Sequence, residues 1–218
     1  SPEDKWFGQM SLPRELFIKD GRLCQRPIRE LDELRVNKVE HRDVTFSDVI
    51  SLDGVKGRKV DIELTLRPGG GEKLYQKFAL RFAQDEKYQT AVSFRPHESV
   101  LKIDRKFSGS RRAIIHQRRS LVNSKNGELK LRVILDRFSV EVFVNDGEQV
   151  MTATMYTDQS ADGISFFADG VVNMDVVKYD LVSEGQSVSD KDNLSEEQAA
   201  KMQENDEPEI KEYGELAV

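Results

Sequence analysis

The 218-residue chain has a single cysteine, Cys24, so no disulfide can form within it. That fits a reducing compartment, or a secreted bacterial protein that never needed bridges. No apolar run approaches 18 residues, so no transmembrane helix is expected. There is no excess of basic residues: the formal net charge is −6, which argues against a general nucleic-acid binder, because phosphate backbones demand a broad basic face. Helical periodicity is lacking through most of the chain. Histidine is scarce as well. His41, His97 and His116 stand far apart with no Cys or acidic partner at metal-ligand spacing, so no metal site and no cofactor are expected. A charged-then-apolar leader is missing too. However, the chain opens at Ser1-Pro2 just before dense motif sequence and reads as a fragment of a longer parent.

What is present divides unevenly. Hydrophobic residues make up 38% and charged residues 33%, an imbalance that points to a solvated tail. From Glu184 to Val218 there are eleven Asp or Glu and three Lys, which leaves residues 1–183 near +2. Within this tail Ser195-Glu196-Glu197-Gln198 has capping-box form, which predicts a short helix over 195–205 in an otherwise polar, disordered segment.

The rest reads as strands. Val60 to Arg67 alternates apolar and polar without a fault, and Phe78, Leu80, Phe82 and then Leu129, Leu131, Val133, Leu135 repeat the pattern. Further strands are predicted near 15–19, 22–26, 43–47, 87–95, 99–105, 112–119, 138–144, 149–157, 163–168 and 174–182. Asp20-Gly21 and Asn145-Asp146-Gly147 mark hairpin turns. Ala161-Asp162-Gly163 and Ala168-Asp169-Gly170 are read as two turns flanking the strand Ile164–Phe167. Many short strands at this spacing imply an all-β fold, two antiparallel sheets packed as a sandwich. The domain reading is a junction at 1–10, a β-sandwich at 11–183 and the acidic tail at 184–218.

Two motifs carry a family resemblance. Trp6-Phe7-Gly8-Gln9-Met10-Ser11-Leu12-Pro13-Arg14-Glu15-Leu16 resembles the segment by which family 32 glycoside hydrolases pass from catalytic propeller to C-terminal β-sandwich. These are the invertases, sucrose-6-phosphate hydrolases, levanases and inulinases. Asp20-Gly21-Arg22-Leu23-Cys24-Gln25-Arg26-Pro27, Glu30-Leu31 and Leu34-Arg35 continue the likeness to bacterial members. Downstream, Leu135-Asp136-Arg137-Phe138-Ser139-Val140-Glu141-Val142-Phe143-Val144-Asn145-Asp146-Gly147 is similar to the family's late hairpin. The resemblance covers roughly residues 6–182 and implies a jelly-roll sandwich of the concanavalin type.

It also implies what is missing. A retaining glycosidase needs two carboxyl groups about 5–5.5 Å apart. The family places them in Asn-Asp-Pro-Asn and Glu-Cys segments, with a stabilising Asp in Arg-Asp-Pro. Here Asn145-Asp146 continues with Gly147, Arg42-Asp43 with Val44, and Cys24 follows Leu23, so no catalytic residue carries over. The glycine run Gly69-Gly70-Gly71 lacks the ending of a phosphate loop. The expected function is a non-catalytic module that braces the propeller of a β-fructofuranosidase, with Trp6, Phe7, Pro13, Arg14 and Glu15 at the domain interface. The expected partners are that propeller and a second copy through an exposed apolar face; nucleic acid and membrane are not. The alternative is a carbohydrate-binding module for fructan or another glycan. Arg105, Lys106, Arg111, Arg112, Arg118 and Arg119 fall in a stretch free of Asp and Glu. They form a candidate anion site, weighed against a plain solvated face. The lone Cys24 leans towards the cytoplasm, as the bacterial sucrose-6-phosphate hydrolases would, and secretion stays open because secreted levanases can be equally poor in cysteine.

Overall fold

The computed structural model describes residues 9–71, 73–109 and 116–182. The junction residues Trp6 and Phe7, the cations Arg111 and Arg112, the acidic tail and its predicted helix at 195–205 lie outside the described residues.

A hairpin opens the fold. Strands β1 (Arg14–Lys19) and β2 (Arg22–Pro27) pair antiparallel across Asp20-Gly21, both with positive φ, as a two-residue turn of this hand requires. A short 3-10 segment, Arg29–Leu34, follows. The remaining strands are β3 (Arg35–Ile50), β4 (Val60–Pro68), β5 (Lys77–Gln84), β6 (Thr90–Arg95), β7 (Val100–Asp104), β8 (Gln117–Leu121), β9 (Leu129–Asp136), β10 (Ser139–Val144), β11 (Gln149–Thr154) and β12 (Gly163–Leu181). Their order in the sheet is β11-β10-β9-β4-β12-β5-β6-β7-β8, with β3 on the other edge of β12.

The all-β, sandwich-like architecture matches the strand pattern, with one difference in its construction. Two layers face each other, but β12 belongs to both, so the hydrogen-bonded sheet is continuous. Its N-terminal half pairs with β5 (Phe166↔Leu80) and its C-terminal half with β4 (Val176↔Leu64), while β3 runs along its opposite edge through both halves. The predicted turn Ala168-Asp169-Gly170 is therefore a bend inside one 19-residue strand. Gly170 adopts φ +95, and the register against β3 shifts between Ala168 and Val172, so the chain turns from one layer to the other without losing its partners. In the same way the segment predicted at 43–47 is the centre of the 16-residue β3. Charges at Arg35, Lys38, Glu40 and Arg42 hide its length, because an edge ribbon exposes much of its surface.

The core lies between the layers. Ile62, Leu64 and Leu66 of β4, Leu131, Val133 and Leu135 of β9 and Val140 and Val142 of β10 form one cluster with Phe78, Leu80, Phe82, Phe94, Leu101 and Ile103 of the other layer. Each such buried side chain contributes about 1.5–3 kcal/mol. Tyr75 is buried with them; its hydroxyl donates to the Gly127 carbonyl at 2.7 Å, and burial pushes its pKa up. At one end Arg58, 8% exposed, donates to the carbonyls of Arg137, Thr157, Asp158 and Ala161, tying two loops together. Burial lowers its pKa against the pull of Asp158.

Candidate functional site

Alternation along β10 sends Val140, Val142 and Val144 inward and leaves Glu141 and Phe143 on the outer face. That face is not open to water. The segment before β1 and the 3-10 turn fold over it, and Leu12, Leu31 and Leu34 join Ile134, Phe143, Val150 and Leu181 in a second apolar cluster. Glu141 is 2% exposed. Arg14 reaches it with Nη2 at 2.5 Å and Nε at 3.2 Å, and the backbone N–H of Leu12 donates to its other oxygen. The remaining donors of Arg14 meet Thr152 Oγ1 at 2.8 Å and Gln25 Oε1 at 3.1 Å, and its guanidinium lies 5.5 Å from the Phe143 ring centre. The two sequence motifs therefore meet in space: Arg14 from the first clamps Glu141 and Phe143 from the second.

A second buried carboxylate lies farther along the same outer face. Asp61 on β4 is fully buried and accepts from Arg132 Nη2 at 2.7 Å and Arg35 Nε at 2.9 Å. Arg132 also holds Asp32 of the 3-10 turn, and Arg35 holds Glu63, each at 2.6 Å. Desolvation alone would lower the pKa of both arginines; hydrogen bonding and Coulomb attraction to the carboxylates leave them raised instead. Arg35 further stacks over Tyr179 at 4.5 Å. Sequence reading singled out neither Asp61 nor Arg132. Both sit at polar positions of alternating strands, which alternation assigns to solvent, so the pattern held no signal that marks them.

Glu15 follows Arg14 and is directed elsewhere, to Arg26 at 2.7 Å and Arg29 at 3.0 Å, whose hydrogen bonds, Arg26 first, lower its pKa. The Pro13 carbonyl accepts from the Ile28 N–H at 3.2 Å. Leu16, Ile18 and Leu23 of the hairpin remain 64%, 69% and 58% exposed, and Ile18 and Leu23 are directly cross-paired. Met10, just before the hairpin, is 93% exposed.

Of the basic stretch, the described residues Arg105, Arg118 and Arg119 are directed differently. Arg105 turns inward, with Nη1 donating to Thr154 Oγ1 at 2.7 Å, and lines a cleft of about 230 Å3 together with Arg118, Tyr156 and Met10. Arg118 is paired opposite the core residue Ile103, whereas the next residue, Arg119, is opposite Lys102 on the outer face. That outer face carries a different group of cations: Lys77 and Arg81, both over the Phe167 ring at 5.7 and 5.1 Å, with Lys102 and Arg119. Burial, and then Lys102, Arg95 and Arg81, lower the pKa of Lys77. A larger cleft, about 430 Å3, lies where Leu121–Ser124 face Asn145, Glu148 and Gln149.

Among the described residues no group of three or more His, Cys, Asp or Glu could hold a metal ion. His41 Nε2 donates to the Asp53 carbonyl at 2.8 Å, and His97 accepts from Gln76 at 3.3 Å. No helix among those residues is long and apolar enough to cross a membrane.

Known proteins place this arrangement. The profile of the C-terminal domain of family 32 glycosyl hydrolases matches residues 30–183. A sucrose-6-phosphate hydrolase from Staphylococcus xylosus is 30% identical over 83% of this chain, which spans 36% of that protein. A levanase from Bacillus subtilis is 29% identical over 77% of the chain, spanning 26% of its own length. The structure of sucrose-6-phosphate hydrolase from Lactobacillus gasseri superposes with a TM-score of 0.64 at 26% identity, over 78% of this chain and 33% of that one. The chain thus spans about a third of the length of such relatives or less, and it belongs to family 32 of the glycosyl hydrolases as the C-terminal domain.

Proposed function

We propose that this chain is a non-catalytic brace for the catalytic propeller of a parent β-fructofuranosidase. The observation that carries this reading is the exposed aliphatic face of the opening hairpin, Leu16, Ile18 and Leu23, placed directly after the junction sequence. Aliphatic side chains this exposed and this close together mark a contact surface. The hairpin is tied to the body at both ends. Arg14 anchors one end to Glu141, and Lys19 reaches Asp146 at the other, 3.3 Å away. Neither buried carboxylate is arranged for sugar chemistry, since Arg14 and the Leu12 N–H occupy the oxygens of Glu141, and Arg35 and Arg132 those of Asp61. By likeness to its relatives, the parent hydrolyses sucrose, sucrose 6-phosphate or fructans with retention and without a cofactor. In the isolated chain the same aliphatic face would pair two copies.

The test is a triple variant, Leu16→Glu with Ile18→Glu and Leu23→Glu, compared with the unmodified chain by sedimentation velocity, alone and with the separately produced propeller. The unmodified chain should associate with the propeller, and the variant should not. Thermal midpoints should agree, because the three side chains are already in water. The unmodified chain alone should release no fructose from sucrose, levan or inulin. Hydrolysis that survives repurification, or a variant that associates as well as its parent, would overturn the proposal.

A further inference from the structure

The 430 Å3 cleft falls within the size range of small-ligand sites, and its walls are built from a particular mixture of groups. One wall is the turn between β10 and β11, where Asn145, Asp146 and Gly147 all have positive φ. Two consecutive non-glycine residues in that region are held there at a cost of about 1–3 kcal/mol each, which the surroundings must supply. They do so through Asn145. Its Oδ1 accepts from the Lys130 N–H at 3.2 Å, and its Nδ2 donates to the carbonyl of Asn123 on the facing wall. Asn123 in turn donates through Nδ2 to Glu148 Oε2 at 3.1 Å. The two walls are cross-linked before any ligand arrives.

The rest of the lining is informative. Arg22, Ser99, Ser124, Glu148 and Gln149 line this cleft, and their side chains include both donors and acceptors. Arg22 forms no ion pair among the described residues. Donors and acceptors are thus both at hand, as adjacent hydroxyl groups of one molecule require, because each hydroxyl gives one hydrogen bond and accepts others. Arg22 and Glu148 cancel in charge, which removes the field an anion would need. Leu121, 74% exposed, adds one aliphatic surface against which C–H groups can lie.

We propose that this cleft binds a neutral saccharide, one or two rings at the end of an oligosaccharide. The proposal does not depend on the bracing role, since the cleft lies on other residues than the aliphatic face of the hairpin. It differs from an aromatic sugar platform, because no ring lines it.

The experiment is titration calorimetry of the 218-residue chain with sucrose, short inulin and levan oligosaccharides, maltotriose and inorganic phosphate. It is repeated on Arg22→Ala and Glu148→Ala. Saturable binding of a neutral saccharide is expected, with Kd raised about tenfold or more in each variant. Lys102→Ala, on the outer face of the other layer, should bind like the unmodified chain. Amide resonances of Ser99, Asn123 and Gln149 should move on binding, which locates the site even if a variant folds poorly. The proposal is overturned by no saccharide binding into the millimolar range, by binding indifferent to both variants, by resonance shifts confined to other residues, or by uptake of phosphate in place of sugar.

Discussion

Glu141 shows how little a linear reading says about a single charge. Its strand alternates as a half-buried strand should, and alternation assigns Glu141 to solvent. The structure buries it under residues that lie 127 positions earlier. Arg14 was legible as part of a junction motif, but its partner was not, because pattern arguments reach a few residues and this contact spans most of the domain. The consequence is measurable. Removing one member of a buried pair leaves the other charge uncompensated, which costs about 3–5 kcal/mol, whereas replacing both by apolar residues is often neutral. Arg14→Ala should therefore lower stability by about that amount in urea denaturation, while Arg14→Leu combined with Glu141→Leu should recover most of the loss. A double variant as unstable as the single one would show that Arg14 acts mainly through Thr152, Gln25 and the Phe143 ring.

At the scale of elements, the outer face of β5 to β8 was the least legible feature. The sequence shows a run of arginines between 105 and 119, and of its described members Arg105 and Arg118 line a cleft while Arg119 lies on the outer face. There, Lys77 and Arg81 of β5, Lys102 of β7 and Arg119 of β8 share one face, because cross-strand neighbours are set by register and not by sequence distance. Lys77 feels this convergence. Burial and its cationic neighbours hold its folded pKa below the unfolded value, so the folded state binds fewer protons than the unfolded state between those two values. Stability must then rise with pH across that alkaline interval, and the penalty is fully present below it, including at neutral pH. Lys77→Met should raise the thermal midpoint at pH 7, flatten the alkaline rise and weaken the stabilising effect of added salt, as read from melts at several pH values and ionic strengths. A lower midpoint at low salt would mean that the lysine stem and its contact with Phe167 outweigh the repulsion.

For the whole molecule, the decisive element is β12, and here the sequence misleads for a physical reason. Ala168-Asp169-Gly170 has turn chemistry and does bend the chain, yet one edge stays with β3 while the other passes from β5 to β4. A glycine with positive φ reads the same in a hairpin as in a strand that changes layer. At Gly170 an added Cβ would stand 2.9 Å from the Tyr75 Cα, so the bend is also packed against the loop before β5. Individual strands and their inward faces were legible because alternation is local. Their fusion into one ribbon was not, because pairing partners are remote. Since β3, β4 and β5 all pair with β12, the two layers share that strand and each keeps only its outer edge, β11 or β8, to itself. Truncation of Phe166, fully buried on β12, should cost about 3–5 kcal/mol. More tellingly, Phe166→Ala should shift the urea midpoints of near-UV dichroism and of far-UV dichroism by the same amount. Amides of β4 and β9 in one layer and of β6 and β7 in the other should lose hydrogen-exchange protection together. If β6 and β7 opened while β4 and β9 stayed protected, the layers would be separate folding units and β12 merely a connection between them.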